Sequence, residues 1–469
     1  MNPLWAMLER AAGPEYARTR ARAERLHGAL SARGMRAGER FAVLSWNTSD
    51  YLELYFAAAR GGFVLCPLNV RLARPEIEAI LEDSGARFVL EGVAGLDALC
   101  REVPPVAKVD PEAPAQLYYT SGTTGKPKGV VLTQRNVEVH ARAAIAELGL
   151  SERDTWAHIA PMFHLADAWA IFAITHCGGR HVYLPRFEPE LALELLVRER
   201  VTITNLIPTM LNLMVRHPSA RGRDYSGLRA ILSGGAPIAP QLVREILELF
   251  GCEYVQTYGM TETSPYLTLG LLKPHLAALP LEERVRWLAK TGRPFQGVEL
   301  RVVDEQGNDV PADGQSVGEI RVRGETVTPG YWNQPEVTAA AFDGRWLKTG
   351  DLATLAHEGY VEIVDRKKDM ILTGGENVYS TEVEHALFAH PAVLEVAVYG
   401  MPDELWGERV CAAVVLRPGK SASAQELQDF CRLRIAAYKV PRAIEFLGEL
   451  PRTGSGKIQK HALRVRARR

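Results

Sequence analysis

No apolar stretch in this 469-residue chain approaches the ~20 residues that cross a bilayer, so no helical membrane span is expected. Cysteine is scarce: six are scattered (Cys66, Cys100, Cys177, Cys252, Cys411, Cys431), with no C-x-x-C pair and no clustered histidine. That argues against a zinc site or a disulfide framework and leaves reduced, mostly buried thiols. Net charge is nearly absent, at −1, so nothing draws the whole molecule to nucleic acid or anionic lipid, and a polyanion must be met by a local patch. Internal repeats and low-complexity tracts are missing. Glu9 and Arg10 interrupt the amino-terminal segment before a secretory apolar core can form, and the Arg-Ala-Arg-Arg end is no peroxisomal address. A cytoplasmic location without a nucleic-acid partner is the expectation; a peripheral membrane contact and a homodimer stay open. The run from Arg464 to Arg469 reads as a solvated, frayed tail.

What is present is 47% apolar residues, enough to fold, and a length that suits two or three domains at ~100–200 residues each. From Arg40 onward, short apolar runs alternate with longer helical stretches: Phe41 to Leu44, Tyr51 to Ala59, Phe63 to Cys66, Pro75 to Leu81, Phe88 to Leu90. This βαβαβ rhythm predicts a parallel sheet covered by helices. It resumes with strands at Trp156 to Ala160, His181 to Leu184, Val201 to Leu206, Leu228 to Leu232 and Tyr254 to Thr257, giving a second sheet. Beyond Gln296, short β runs punctuated by Gly307-Asn308, Asp313-Gly314, Asp343-Gly344 and Glu358-Gly359 predict a small antiparallel, barrel-like unit. The charged knot Asp365 to Asp369 precedes a compact α+β stretch. The fold class is therefore α/β: a large N-terminal domain, 1–365, of two parallel-type sheets plus a small β-barrel, and a small mobile α+β C-terminal domain, 366–469.

One loop, Tyr119 to Val130, crowds hydroxyls, glycines and lysines between apolar segments. Backbone N–H groups turned inward at glycines, hydroxyl donors and lysine charge together suit a polyphosphate. It is not a Walker loop, because two residues separate Gly122 from Gly125 and Pro127 follows Lys126 where a helix would start.

Five segments in fixed order resemble the adenylate-forming superfamily of acyl-CoA synthetases, luciferases and peptide-synthetase adenylation domains, closest to the fatty acyl-CoA synthetases. They are the 119–130 loop, Ser233-Gly234-Gly235-Ala236-Pro237, Tyr258-Gly259-Met260-Thr261-Glu262, Thr349-Gly350-Asp351, and the stretch from Arg366 to Lys457. The resemblance implies ATP, Mg2+ and CoA as co-substrate. It puts the phosphates on Thr120, Ser121, Gly122, Thr123, Thr124, Gly125 and Lys126, and adenine on the shelf Gly234, Gly235, Ala236, Pro237. Tyr258 would stack on the base, with Gly259, Met260 and Thr261 continuing toward the phosphates and Glu262 holding the metal. Asp351, supported by Arg366, would accept the ribose hydroxyls. Lys457 would bridge carboxylate and α-phosphate as they approach, and the catalytic set is Lys457, Glu262, His164 and Thr120. Lys368 falls where the family has its hinge.

His164, in Pro161-Met162-Phe163-His164-Leu165, resembles the aromatic residue that abuts the acyl carboxylate in acyl-CoA synthetases; adenylation domains for amino acids have an aspartate there, and Asp167 stands three residues on. Gly374, Gly375 and Glu376 resemble the loop that admits pantetheine, and Trp406 the ring against the thiol donor, although Trp406 also reads as core. These features imply an ATP-dependent carboxylate–CoA ligase whose partners are a carboxylic acid, ATP and CoA. Ala166, Trp169, Ile207 and Met210 suggest an apolar pocket for a medium- to long-chain fatty acid or an aryl acid. A luciferase-like oxygenase, an acyl-AMP ligase serving a carrier protein, and a nucleotide-binding module without catalysis are the alternatives. The chain departs from longer relatives in its brief stretch before Arg40 and its compressed segment from Glu91 to Pro111.

Overall fold

The computed structural model describes residues 2–120, 127–452 and 458–467. The chain divides into two compact units, 1–300 with 322–347, and 301–321 with 348–469.

The first unit carries two sheets. One runs Val89–Leu90, Arg40–Val43, Val64–Pro67, Pro114–Thr120, Lys128–Thr133; its first four strands are parallel and the last returns antiparallel. The other runs Arg293–Pro294, Tyr266–Leu269, Glu253–Gly259, Ala230–Ser233, Ile203–Leu206, Thr155–His158, Arg180–Tyr183, with five parallel strands and two antiparallel ones at one edge. Each strand expected in these two stretches is present. The reason lies in their composition: Val64 to Pro67 and Ala230 to Ser233 are buried throughout, as strands covered by helices on both faces must be. The short stretch before Arg40 holds two helices, Pro3–Arg10 and Pro14–Ala32, the second packed along the helix Ser49–Gly61.

A third sheet, Val298–Val303, Val317–Gly324, Trp346–Leu355, Phe342–Asp343, with Val361–Arg366 on Trp346–Leu355, stands where the barrel-like unit was expected. Val317–Gly324 alternates buried and half-buried residues, the pattern of a sheet with one wet face. The unit division crosses three of these strands. The last sheet orders Glu376–Val378, Ile371–Thr373, Gly407–Leu416, Val393–Asp403, with Ala443–Phe446 parallel to Gly407–Leu416. The helices Ser380–Phe388 and Ala424–Arg432 pack on it, burying Val383, Leu387, Leu427 and Cys431 against Val396, Val398, Val410 and Val414. The arginine-rich run is not a frayed tail over its described part. Lys460–Arg466 is helical, and Arg464 and Arg466 pair with Asp369 and Glu445 at 3.0 and 2.6 Å, so acidic partners hold it down.

Candidate active site

The phosphate-loop segment is a hairpin end. Thr120 pairs with Lys128 at the tips of Pro114–Thr120 and Lys128–Thr133; Ser121, Gly122, Thr123, Thr124, Gly125 and Lys126 lie outside the described residues. The strand Lys128–Thr133 ends in Thr133, whose Oγ1 caps the next helix by accepting from Asn136 N at 3.1 Å while Asn136 Oδ1 accepts from Thr133 N at 2.9 Å. Such a cap contributes ~1 kcal/mol and fixes where the strand stops. Asn136 Nδ2 then donates to Glu325 O and Val327 O, at 2.7 and 3.1 Å, anchoring a strap, 325–332, that crosses the hairpin. Thr328 N donates to Glu262 O (2.8 Å), Thr328 Oγ1 to Val131 O (2.5 Å), Val131 N to Gly330 O (3.1 Å) and Trp332 N to Gly129 O (2.7 Å).

Glu262 sits beneath this strap. The residue is 7% exposed and its carboxylate accepts from the Tyr331 hydroxyl at 2.9 Å, while Lys128 Nζ stands 5.5 Å from the Tyr331 ring centre. Burial, then the neighbouring Glu262 charge, drives the Tyr331 phenol well above its ordinary pKa, so it stays a donor. Among the described residues no three His, Cys, Asp or Glu cluster as a metal cage. One buried, oriented carboxylate beside the strand Lys128–Thr133 suits Mg2+ all the same, because that ion takes its other ligands from phosphates and water. Sequence reading missed Tyr331, since its contact depends on the strap folding back over 69 residues.

Glu262 belongs to a tight turn after Glu253–Gly259, in which Tyr258, Gly259, Met260 and Thr261 are half-buried and Met260 N donates to Pro265 O at 3.0 Å. The neighbouring parallel strand Ala230–Ser233 ends in Gly234, also buried, followed by Gly235, Ala236 and Pro237, which are exposed. Gly234 has to be glycine: a Cβ there would stand 2.3 Å from Thr257 Oγ1 and 2.6 Å from its carbonyl. Thr257 Oγ1 donates to Ser233 O at 3.1 Å, which holds the shelf against the next strand.

His164 precedes the helix Leu165–Cys177, half-buried, with its ring edge-on to Phe163 at 4.8 Å. Asp167 is not its neighbour at the surface. It is fully buried, 2.5 Å from His158 Nδ1 and 3.3 Å from Trp156 Nε1, and His158 Nε2 continues to His181 Nδ1 at 2.9 Å. Burial raises the Asp167 carboxyl above its usual range, opposed by His158. Two of the expected pocket residues are core instead: Met210 belongs to the cluster under the second sheet, and Trp169 packs edge-on to Trp156 and His140. Ile207 lies against the Met210 cluster, and Ala166 is exposed.

In the second unit, Asp351 and Arg366 are cross-strand partners, Nε to Oδ1 3.3 Å, with Asp351 N also accepted by Thr349 Oγ1 at 3.1 Å. Lys368 is exposed in the turn that follows, and Lys457 lies outside the described residues. Gly374 and Gly375 turn the chain between Ile371–Thr373 and Glu376–Val378; both have positive φ, and a Cβ on Gly374 would meet Trp406 Cε3 at 2.8 Å. Trp406 is 36% exposed, so it is not core; the Arg442 guanidinium lies 4.4 Å from its ring centre.

Parallel strands that end in a glycine shelf beside one buried carboxylate have the form of a nucleotide site in an open α/β sheet, where ligands collect at the carboxyl ends of strands. The comparisons agree with that class. Residues 14–103 and 95–332 match the AMP-binding enzyme family, residues 382–457 match the AMP-binding enzyme C-terminal domain, and the chain belongs to this adenylate-forming family. It is 39% identical to a feruloyl-CoA synthase of Amycolatopsis sp, over 96% of this chain and 93% of that one. It is 37% identical to a long-chain-fatty-acid–CoA ligase of Thermus thermophilus, over 98% and 95%. The solved O-succinylbenzoate CoA synthetase of Bacillus subtilis, in complex with ATP and magnesium ion, superposes with a TM-score of 0.83 at 33% identity, over 97% and 94%.

Proposed function

We propose that this enzyme is an AMP-forming acyl-CoA synthetase: it joins a carboxylic acid to ATP, releasing pyrophosphate, and the CoA sulfur then displaces AMP from the acyl-adenylate to give the thioester. The observation that carries the reading is similarity to CoA ligases along nearly the whole of both chains. The burial of Asp167 supports a plain carboxylic acid over an amino acid, because its carboxylate is committed to His158 and Trp156 and cannot meet an α-ammonium.

Each residue then has a task. Thr120, with Ser121, Gly122, Thr123, Thr124, Gly125 and Lys126, grips the phosphates; Gly234, Gly235, Ala236 and Pro237 form the flat support for adenine, and Tyr258 stacks on it. Asp351 accepts the ribose hydroxyls and Arg366 steadies it. Glu262, aimed by Tyr331, would hold Mg2+, and that ion would supply positive charge against the phosphates. His164 abuts the acyl carboxylate, and Lys457 relieves the repulsion between that carboxylate and the α-phosphate. Gly374, Gly375, Glu376 and Trp406 receive the pantetheine arm. We place the boundary of the moving C-terminal domain at 365/366, with Lys368 as its pivot.

The acid is a medium- to long-chain fatty acid or an aryl acid. Trp169 and Met210 are buried in the core, so they favour neither class over the other. Six free cysteines fit a cytoplasmic enzyme, and no described helix is long and apolar enough to cross a membrane.

The test is a panel of straight-chain and aryl acids with ATP and Mg2+, following pyrophosphate release, AMP release and thioester mass. Thioester formation coupled to AMP release supports the reading. Adenylate that accumulates with CoA but transfers to a phosphopantetheinylated carrier protein would replace it with the carrier-protein ligase, and oxygen uptake with the luciferase-like oxygenase.

A further inference from the structure

We propose that Asn47 is a positioning residue that sets the backbone of segment 158–162 and through it the placement of His164; this rests on the reading that His164 faces the acyl carboxylate. Asn47 lies beyond the carboxyl end of Arg40–Val43, in the first sheet, whereas the segment it holds leaves the second. It is 2% exposed. Its Nδ2 donates toward His158 O (2.9 Å), Ala160 O (2.9 Å) and Leu184 O (3.2 Å), and its Oδ1 accepts from Met162 N (2.8 Å). Two N–H groups shared among three carbonyls use the whole donor capacity of one amide. The bonds catch residues 158, 160 and 162 in succession, so one side chain fixes the path of the chain as it leaves the strand Thr155–His158 and runs on as irregular structure.

A second grip acts at the same point. Tyr55 Oη donates to Met162 O at 3.1 Å and is 2.8 Å from Tyr118 Oη, two residues before Thr120. Both polar backbone groups of Met162 are therefore held from the loop after Arg40–Val43 and the helix Ser49–Gly61, and His164 follows after Phe163, its N–H donating to Pro161 O at 3.0 Å. Through Tyr118, in the strand that ends at Thr120, the same grip ties the placement of the acyl-facing imidazole to the hairpin of Pro114–Thr120 and Lys128–Thr133. Reacting groups held from one scaffold keep the near-attack geometry that proximity catalysis needs.

The experiment uses Asn47→Leu, which keeps the branched shape but removes both the acceptor of Met162 N and the donors to the three carbonyls, and Tyr55→Phe, which deletes one hydroxyl should the first variant fold poorly. In the intact chain without substrate, hydrogen exchange at the Met162 amide should accelerate on the order of tenfold in Asn47→Leu. With whichever of octanoate, palmitate or ferulate turns over fastest, the KM for the acid should rise on the order of 10- to 100-fold while the KM for ATP stays within about twofold. Unchanged exchange at Met162, or KM values for acid and ATP that rise together with a falling Tm, overturns the proposal. His164→Ala separates the two readings: an unaltered acid KM in that variant would sink the role of His164, while the exchange measurement still decides for Asn47.

Discussion

Asp351 and Arg366 face each other in register across Trp346–Leu355 and Val361–Arg366, with Arg366 Nε 3.3 Å from a carboxylate that is almost wholly buried. Half of the Arg366 side chain is in solvent, so as an ion pair it contributes no more than ~1 kcal/mol to stability. In the proposed site, its part would be to orient Asp351. Arg366→Gln should leave Tm nearly unchanged and raise the KM for ATP, and Asp351→Ala should raise it further, by about tenfold or more, as expected for losing hydrogen bonds to a charged acceptor. A thermal melt beside an ATP titration checks this; a large drop in Tm with unaltered ATP dependence would make the pair structural.

Glu262 and Tyr331 supply the second prediction. Glu262→Gln keeps shape and removes charge, so the magnesium concentration for half-maximal pyrophosphate release should rise and turnover should fall. Tyr331→Phe leaves the charge but not its orientation and should move the same curve less, with little change in fold. Manganese binding in the presence of ATP, followed by spin resonance, reads the site without turnover. An unmoved metal titration in both variants would take Glu262 out of the metal site.

How much of this was legible in the sequence follows from where each signal resides. Val64-Leu65-Cys66 announces a buried parallel strand because every residue is apolar, and Asp351 and Arg366 each stand in a local motif that marks them without the fold. Tyr331 and Asn47 carry no local signal; their contacts exist only once residues 69 and 111 or more positions away have folded against them. Asp167 had one that could have been used. It is the sole acid in a helix, Leu165–Cys177, that is otherwise apolar nearly all round, and a carboxylate so placed has to find a buried partner. His158 and Trp156 are that partner.

Burial sets a pH prediction. His140 is buried among Trp169, Tyr266 and Phe295, its Nε2 accepts from Tyr266 N at 3.4 Å, and burial lowers its pKa to about 3. A histidine whose folded pKa lies below its unfolded one stabilises fully above the unfolded value, near 6.5, and loses that contribution as pH falls toward the folded one. Between pH 7 and pH 5 the loss from this one group is about 2 kcal/mol. Urea unfolding at the two pH values should show that difference shrinking in His140→Gln; an identical pH slope in the variant would mean that the imidazole titrates freely in the folded chain.

The proposed role of Lys457 predicts that the two half-reactions can be separated. If this lysine meets carboxylate and α-phosphate together, Lys457→Ala should cut acyl-adenylate formation by ~10²-fold or more, the scale of one preorganised charge in a water-excluded site. Thioester formation from supplied acyl-adenylate should survive. Equal losses in both steps, measured by single-turnover quench, would make the lysine structural.

The pivot is the prediction with most at stake. Lys368 is exposed in its turn, but both flanks of that turn are braced. Asp365, buried, accepts from Ser380 N at 2.5 Å and Ser380 Oγ at 3.0 Å, and Asp369 pairs with Arg464 at 3.0 Å. Burial raises the Asp365 carboxyl, while Lys460 and the Ser380 bonds pull it back. Asp365 also pairs with Leu352 across Trp346–Leu355, so a rotation at Lys368 that carries Ser380 away must break the Asp365–Ser380 bonds. If Lys368 is the pivot, these bonds would latch one arrangement and φ/ψ freedom at Lys368 would let the other form. Lys368→Pro fixes φ near −65° and should lower one half-reaction far more than the other. Ser380→Ala removes the hydroxyl arm of the latch and should shift the ratio of the two half-reaction rates without changing ATP affinity. Wild-type rates for both half-reactions in Lys368→Pro would show that the chain turns elsewhere, and the point near Lys348 where the compact units divide, inside Trp346–Leu355, would be the next place to test.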